Sequence, residues 1–259
     1  PIPTKSTTSK GTKKVSKVRS INKQIDILLP PKNMKINVRE HHSSLLSTAN
    51  ELKSYLNTNR EYLDKVHVLT VMYRCSKMGR SDLSEFIDLD LALSILNTID
   101  NKPVQFRSAA SALYSLHLIY DSKNDDYTLF VRDMVNIVTR WLVDMKTRDE
   151  VKATGQAIAM CIVGLKNLNL HANEVRSLIK ELAYLTRCSE SSMNAHDVAS
   201  ALYGLQHMDC STHRELDTLL GEIINKMEQS TDFRGDRRLS SKHFSMMMYG
   251  LHSTSSGSG

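Results

Sequence analysis

A short apolar phrase that recurs along the chain constrains its fold more than any other feature. Close copies of "DVASALYGLQHM" occur within residues 107–120, 155–170, 194–209 and 241–254, and a weaker copy occurs within residues 66–79. Each copy has one anchor residue, and in chain order the anchors are Tyr73, Tyr114, Val163, Tyr203 and Tyr249. The anchors lie 41, 49, 40 and 46 residues apart. Irregular periods near 40 residues indicate stacked helical units rather than a coiled coil.

The position after the anchor is small in the four close copies, which have Ser115, Gly164, Gly204 and Gly250 there. Glycine inside a helix costs about 1 kcal/mol relative to alanine, so its recurrence requires a reason. We expect the backbone of a neighbouring helix to approach closely at this position. The weak copy has Arg74 instead, which predicts that it is an end repeat.

Amphipathic segments between the copies predict a second helix in each unit, at residues 82–98, 127–146, 172–188 and 213–229. The sequence therefore predicts an all-α fold, an α-solenoid of about five stacked helical-hairpin repeats over residues 32–252. We expect a disordered or extended basic tail over residues 1–31 before it. A flexible Ser/Gly tail over residues 253–259 is expected after it.

The N-terminal tail holds most of the excess positive charge. Residues 1–25 contain no acid and seven cations: Lys5, Lys10, Lys13, Lys14, Lys17, Arg19 and Lys23. The whole chain has a net charge of +6, so the remaining residues have a net charge of −1. Because the tail is rich in Ser and Thr and poor in large apolar groups, its composition predicts that it does not fold alone. It is typical of an organellar import segment or its remnant, of a polyanion-binding arm whose cations would contact RNA, or of a merely solvated terminus.

The phrase "DVASALYGLQHM", with its echoes "SAASALYSLHLI" and "HFSMMMYGLHS", resembles the octotricopeptide and heptatricopeptide repeats. These are helical-hairpin repeats of organellar RNA-binding proteins, often found with RAP domains. The resemblance covers residues 60–252 and implies a component of an organellar ribosome or RNA-processing complex. It implies RNA, ribosomal or other organellar RNA, as a partner and the mitochondrion, or alternatively a plastid, as the location.

If the repeats bind RNA as the resemblance implies, polar residues at equivalent positions would contact it. Seven residues before the anchors stand Arg107, Gln156, His196 and Lys242, and three residues after them stand His117, Lys166, Gln206 and His252. The alternative is that these residues are solvent-facing helix ends. The loop "RGDRR" offers Arg234, Arg237 and Arg238 either as phosphate contacts or as a solvated loop.

Other kinds of site find little support in the sequence. There is no glycine-rich phosphate loop, nucleophile elbow or acid–base pair, so we predict a protein that is not an enzyme and has no cofactor. His207, Cys210 and His213 lack a second half-site for zinc, so no metal is predicted either. No apolar run approaches the roughly 20 residues that span a bilayer, which predicts no membrane span.

The last copy ends after its first helix, so its apolar side chains lack the cover of a second helix. We therefore predict that another protein subunit docks on Met246, Met247, Met248 and Leu251. Taken together, the sequence predicts a non-catalytic organellar protein that binds RNA or belongs to a ribonucleoprotein. The alternative is a protein–protein scaffold subunit of a large organellar complex without direct RNA contact.

Overall fold

The structure is a computed structural model that describes residues 9–29, 42–78, 83–98, 104–119, 125–148, 152–166, 168–169, 171–206, 208, 213–234 and 240–255. Every regular element in these ranges is a helix, which confirms the predicted all-α class. The chain divides into two compact units, Pro1–Thr98 and Ile99–Gly259. None of the described helices is both long enough and apolar enough to cross a membrane.

The first unit contains α1 (Ser9–Leu28), α2 (His42–Thr58), α3 (Lys65–Lys77) and α4 (Leu89–Leu96), with short 3-10 turns at Arg60–Tyr62 and Leu83–Glu85. The weak copy of the repeat forms α3, which packs against α4. Helix α1 contacts both α2 and α3. The predicted tail boundary at residue 31 lies outside the described residues.

Helix α1 replaces the disordered or extended segment that the composition of the tail predicts, so that prediction is wrong. Ile21, Ile25 and Leu29 recur at every fourth position and are fully buried. Such a spacing places them on one side of a helix, and a segment average of polar composition conceals it. The basic segment is therefore part of the first unit's core.

Arg74 fastens the end of α1 to α3. Its buried guanidinium donates through Nη1 to the carbonyl oxygens of Ile25 (3.3 Å) and Leu29 (3.2 Å), and it also pairs with the Asp26 carboxylate. The last carbonyls of a helix have no partner within the helix, so Arg74 supplies one. This contact explains why the weak copy has Arg where the other copies have a small residue.

The second unit contains α5 (Phe106–Ile119), α6 (Asp125–Thr147), α7 (Gly155–Val163), α8 (Asn173–Cys188), α9 (Ala195–Gly204), α10 (Arg214–Gln229), α11 (Thr231–Arg234) and α12 (Ser241–Ser255). The repeated phrases form α5, α7, α9 and α12, each of which packs against the next to give a first layer. Helices α6, α8 and α10 pack successively into a second layer. The last helix extends to Ser255, three residues into the predicted flexible tail.

The recurring glycines lie where neighbouring first-layer helices meet, as the sequence predicts. A Cβ added to Gly164 would lie 2.5 Å from the carbonyl carbon of Leu113, and one added to Gly204 would lie 2.6 Å from the Cα of Val163. A Cβ on Gly250 would overlap the carbonyl of Leu202. In each case the obstacle is the backbone of the preceding copy, at its anchor or one residue before it. The glycine column thus sets the same helix-on-helix crossing three times.

The second layer repeats its own contacts with the same period. Lys146 Nζ lies 3.3 Å from Glu181 Oε2, and Arg187 Nη2 lies 2.6 Å from Glu222 Oε1. The second ion pair corresponds to the first displaced by 41 residues. Partly exposed pairs of this kind contribute about 0.2–1 kcal/mol each, so their main effect is to align α6 with α8 and α8 with α10 in one register.

The loops that close two hairpins cap the first helix of the same hairpin. Ser191 Oγ accepts a hydrogen bond from the Gly155 N–H (3.3 Å), and Asp232 Oδ2 accepts one from the Ala195 N–H (3.0 Å). These amides begin α7 and α9, where backbone N–H groups lack a partner within the helix. The repeat is therefore visible in backbone crossings, ion pairs and caps.

Candidate functional site

The two predicted polar stripes lie on one face of the first layer. Seven residues make almost two helical turns, so residues seven before and three after an anchor share the anchor's side of its helix. The first stripe is exposed along its length, at Arg107, Gln156, His196 and Lys242. In the second stripe, His117 and Lys166 are half-buried, Gln206 is buried and His252 is exposed. We define the repeat face as these two stripes, the anchors Tyr114, Val163, Tyr203 and Tyr249, and the residues three before each anchor, Ser111, Met160, Ser200 and Met246.

The repeat face is positively charged although the chain beyond the tail is close to neutral. Its four helices contribute sixteen positions, and none of these is Asp or Glu. Arg107, Lys166 and Lys242 supply three cations. Asp197, next to His196 in α9, is buried and takes part in the capping box with Asn194. A polyanion approaching the repeat face therefore meets cations and neutral donors.

Lys166, Tyr203 and Tyr249 form a cluster that crosses three helices of this face. Lys166 Nζ donates to the Tyr203 hydroxyl oxygen (3.1 Å) and lies 4.3 Å from the centroid of the same ring. The rings of Tyr203 and Tyr249 have centroids 6.0 Å apart and planes 33° apart. Tyr249 is 53% exposed. Aromatic rings beside a cation are the groups on which bases stack and phosphates bind in proteins that hold single-stranded nucleic acid.

His117 and Gln206 extend the cluster towards the interior. Burial, and then the nearby Lys166 ammonium, lower the pKa of His117 below its ordinary value of 6.5, while a hydrogen bond with the Lys166 backbone acts in the opposite direction. His117 is therefore neutral at pH 7. The buried His117 Nδ1 and Gln206 Oε1 atoms have no hydrogen-bond partner among the described residues. Both can accept a hydrogen bond that water or a ligand donates.

The tail cations lie in the first unit, not in the second unit that carries the repeat face. Lys17 is half-buried, with its Nζ 5.8 Å from the centroid of the Tyr62 ring, and Arg19 and Lys23 are exposed on α1. Lys5 lies outside the described residues, as do the side chains of Lys10, Lys13 and Lys14. In the basic loop, the side chain of Arg234 and the whole of Arg237 and Arg238 lie outside them too.

The predicted protein-docking residues separate into two groups. Met247 is 7% exposed, because it lies on the side of α12 that packs against α9, so its assignment to a docking surface is wrong. Met248 and Leu251 are 51% and 38% exposed, whereas Met246 is half-buried. The sequence interpretation missed Phe244, which is 55% exposed on the same helix.

The described residues contain no group of three or more His, Cys, Asp or Glu side chains that could hold a metal ion. The rings of His171 and His213 meet edge to face with centroids 5.2 Å apart. His207 and Cys210, the other members of the weak zinc pattern, lie outside the described residues. Burial raises the pKa of the Cys161 thiol, so that thiol is protonated and unreactive at neutral pH.

Comparison with models of protein families, with curated proteins and with solved structures finds no significant match to this chain. The repeat face must therefore be interpreted from its own chemistry. The sequence could have indicated Tyr203 and Tyr249, because three of the five anchor positions outside the weak copy's helix end and Val163 are tyrosines, whose hydroxyl favours a partly exposed position. Their contact across helices depends on the crossing geometry, which the sequence pattern alone does not provide.

Proposed function

We propose that this chain is a non-catalytic helical-repeat protein that binds RNA within an organellar ribonucleoprotein, such as a mitochondrial ribosome or RNA-processing complex. The observation that carries the proposal is the acid-free repeat face with its cluster of Lys166, Tyr203 and Tyr249. In the proposed complex, the tyrosine rings stack on bases and the cations contact phosphates. The five-repeat solenoid belongs to the same proposal, with the copy in the first unit as its N-terminal end repeat.

The tail has a different place in this proposal from the one its composition suggests. Helix α1 is fixed to α3, so Arg19 and Lys23 are held on a folded surface and add sequence-independent phosphate contacts there. The import function of the segment, and with it the mitochondrial or plastid location, rests on composition alone.

A protein scaffold without direct RNA contact is the second candidate, and a specific observation favours it. Phe244, Met248 and Leu251 present exposed apolar surface on α12. A protein-docking edge is compatible with RNA binding, so the two candidates differ in the role of the repeat face and not of α12.

The proposed function is tested by fluorescence anisotropy with a labelled single-stranded RNA at several salt concentrations. Lys166→Met removes the charge of the cluster but keeps the length of the side chain. We expect weaker binding and a log–log salt slope shallower by about 0.7, because one phosphate contact on a single strand contributes about that much. Lys180→Met, which removes an exposed cation from α8 in the second layer, is the matched control and should leave the binding unchanged.

Two results would count against RNA binding by the repeat face. One is absence of binding by the wild-type chain at low salt, which would favour the scaffold. The other is an equal loss for Lys166→Met and Lys180→Met, which would indicate a non-specific charge effect.

A further inference from the structure

One side of α12 is open although the same side of every preceding first-layer helix is covered. The positions five before, one before and two after the anchor lie on this side. In α5, α7 and α9 they are at most 5% exposed, at Ala109, Leu113, Leu116, Ile158, Ile162, Leu165, Val198, Leu202 and Leu205. In α12 the same positions are Phe244, Met248 and Leu251, and they are 55%, 51% and 38% exposed.

The preceding copies indicate what kind of element covers this side. The backbone at Leu113, at Ile162 and Val163, and at Leu202 is in each case met by the glycine of the following first-layer helix. The corresponding position on α12 is Met248, next to the anchor Tyr249. The open side of α12 thus continues an interface that occurs three times within the second unit.

The charge of α12 indicates the polarity of that element. The helix contains Lys242, His243 and His252 and no acid. The rings of His196 and His243 lie 5.5 Å apart, so successive first-layer helices begin side by side. A helix that continues the layer would begin beside Lys242, where an acidic first turn is favoured both by that cation and by the helix dipole. Self-pairing of α12 would instead bring two acid-free helices together.

We propose that the open side of α12 binds an amphipathic helix of a partner protein, with an acidic first turn and a glycine or other small residue that crosses Met248. This inference deepens the protein-docking part of the proposed function by naming the partner's chemistry, and it does not depend on RNA binding. Helix α12 then provides the edge of an intermolecular stack.

The test uses the full chain and, as a probe, a fluorescent peptide with the sequence of residues 194–208, which contains Asp197 and Gly204. We expect saturable binding of this peptide, reduced at least about tenfold by Met248→Glu, because a carboxylate on the buried side of a helix interface leaves an unpaired charge. Leu129→Glu is the matched control, because Leu129 is 51% exposed on α6, and it should bind as the wild type does. A peptide with Gly204→Leu should bind at least about tenfold more weakly than the native one, because its side chain meets the α12 backbone.

Hydrogen exchange locates the bound peptide. The amides of residues 244–251 should gain protection and those of α6 should not. Equal binding by the wild type and Met248→Glu, or no peptide binding at all, would overturn the proposal. A concentration-dependent dimer that Met248→Glu dissociates would overturn the choice of partner, because a second copy would then cover α12. Met248→Glu should retain RNA binding, so failure here is distinct from failure of the proposed function.

Discussion

At the residue scale, the glycine column carries the geometry of the second unit. Gly204 is the clearest case, since an added Cβ would lie 2.6 Å from the Val163 Cα and 2.7 Å from the Ile162 carbonyl oxygen. These atoms belong to the backbone and cannot rotate away as a side chain can. The close crossing of α7 and α9 therefore depends on the missing side chain.

We expect Gly204→Ala to destabilise the chain by about 1–3 kcal/mol, because overpacking the crossing outweighs the gain in helix propensity. Urea unfolding followed by circular dichroism measures the change. Gly221→Ala is the control, because Gly221 lies in α10 with nothing within 4 Å of an added Cβ, and it should stabilise by up to about 1 kcal/mol. Equal effects at the two glycines would contradict the close-crossing interpretation.

Sequence reasoning succeeded for these glycines and failed for other residues, for a physical reason. A glycine that recurs within helices has a propensity cost that only close packing explains, so Gly164, Gly204 and Gly250 announce their role. Met247 and Met248 have the same side chain and adjacent positions, yet one is buried and the other is half exposed. Their difference depends on which side of α12 meets α9, and a run of three methionines does not reveal that.

At the element scale, α1 is held by its end rather than by its own propensity. Arg74 satisfies the carbonyls of Ile25 and Leu29, and Ile21 and Ile25 bury their side chains beneath the helix. The tail composition correctly indicates a segment that does not fold alone. The partner that folds it is Arg74, which lies about 50 residues further along the chain, so composition within the tail could not indicate it.

Arg74→Met should release the end of α1 and destabilise the first unit by about 1–3 kcal/mol, because buried carbonyls lose their donors. Limited trypsin digestion should then cut faster after Lys17, Arg19 and Lys23 than in the wild type. Arg132→Met provides the comparison, since Arg132 is 53% exposed and forms only a long ion pair with Asp133 (3.7 Å). If cleavage in α1 stayed at the wild-type rate in Arg74→Met, the anchoring role of Arg74 would be wrong.

At the scale of the whole molecule, the two layers of the second unit have different chemistry. The second layer is aligned by acid–base pairs such as Arg187–Glu222, whereas the repeat face of the first layer has cations, histidines and tyrosines without acids. The sequence repeat predicts both layers and the positions of the polar stripes. It does not predict that Lys166, Tyr203 and Tyr249 meet, because their contacts link three separate copies.

The most direct test of RNA binding by the repeat face is photo-cross-linking of a 4-thiouridine-labelled single-stranded RNA to the full chain, followed by mass spectrometry of the cross-linked peptides. The second layer supplies an internal control, because Tyr184 is 39% exposed on α8 beside Lys146. The account predicts cross-links at Tyr203 and Tyr249 and few or none at Tyr184. Cross-links concentrated at Tyr184, or spread equally over both layers, would contradict it.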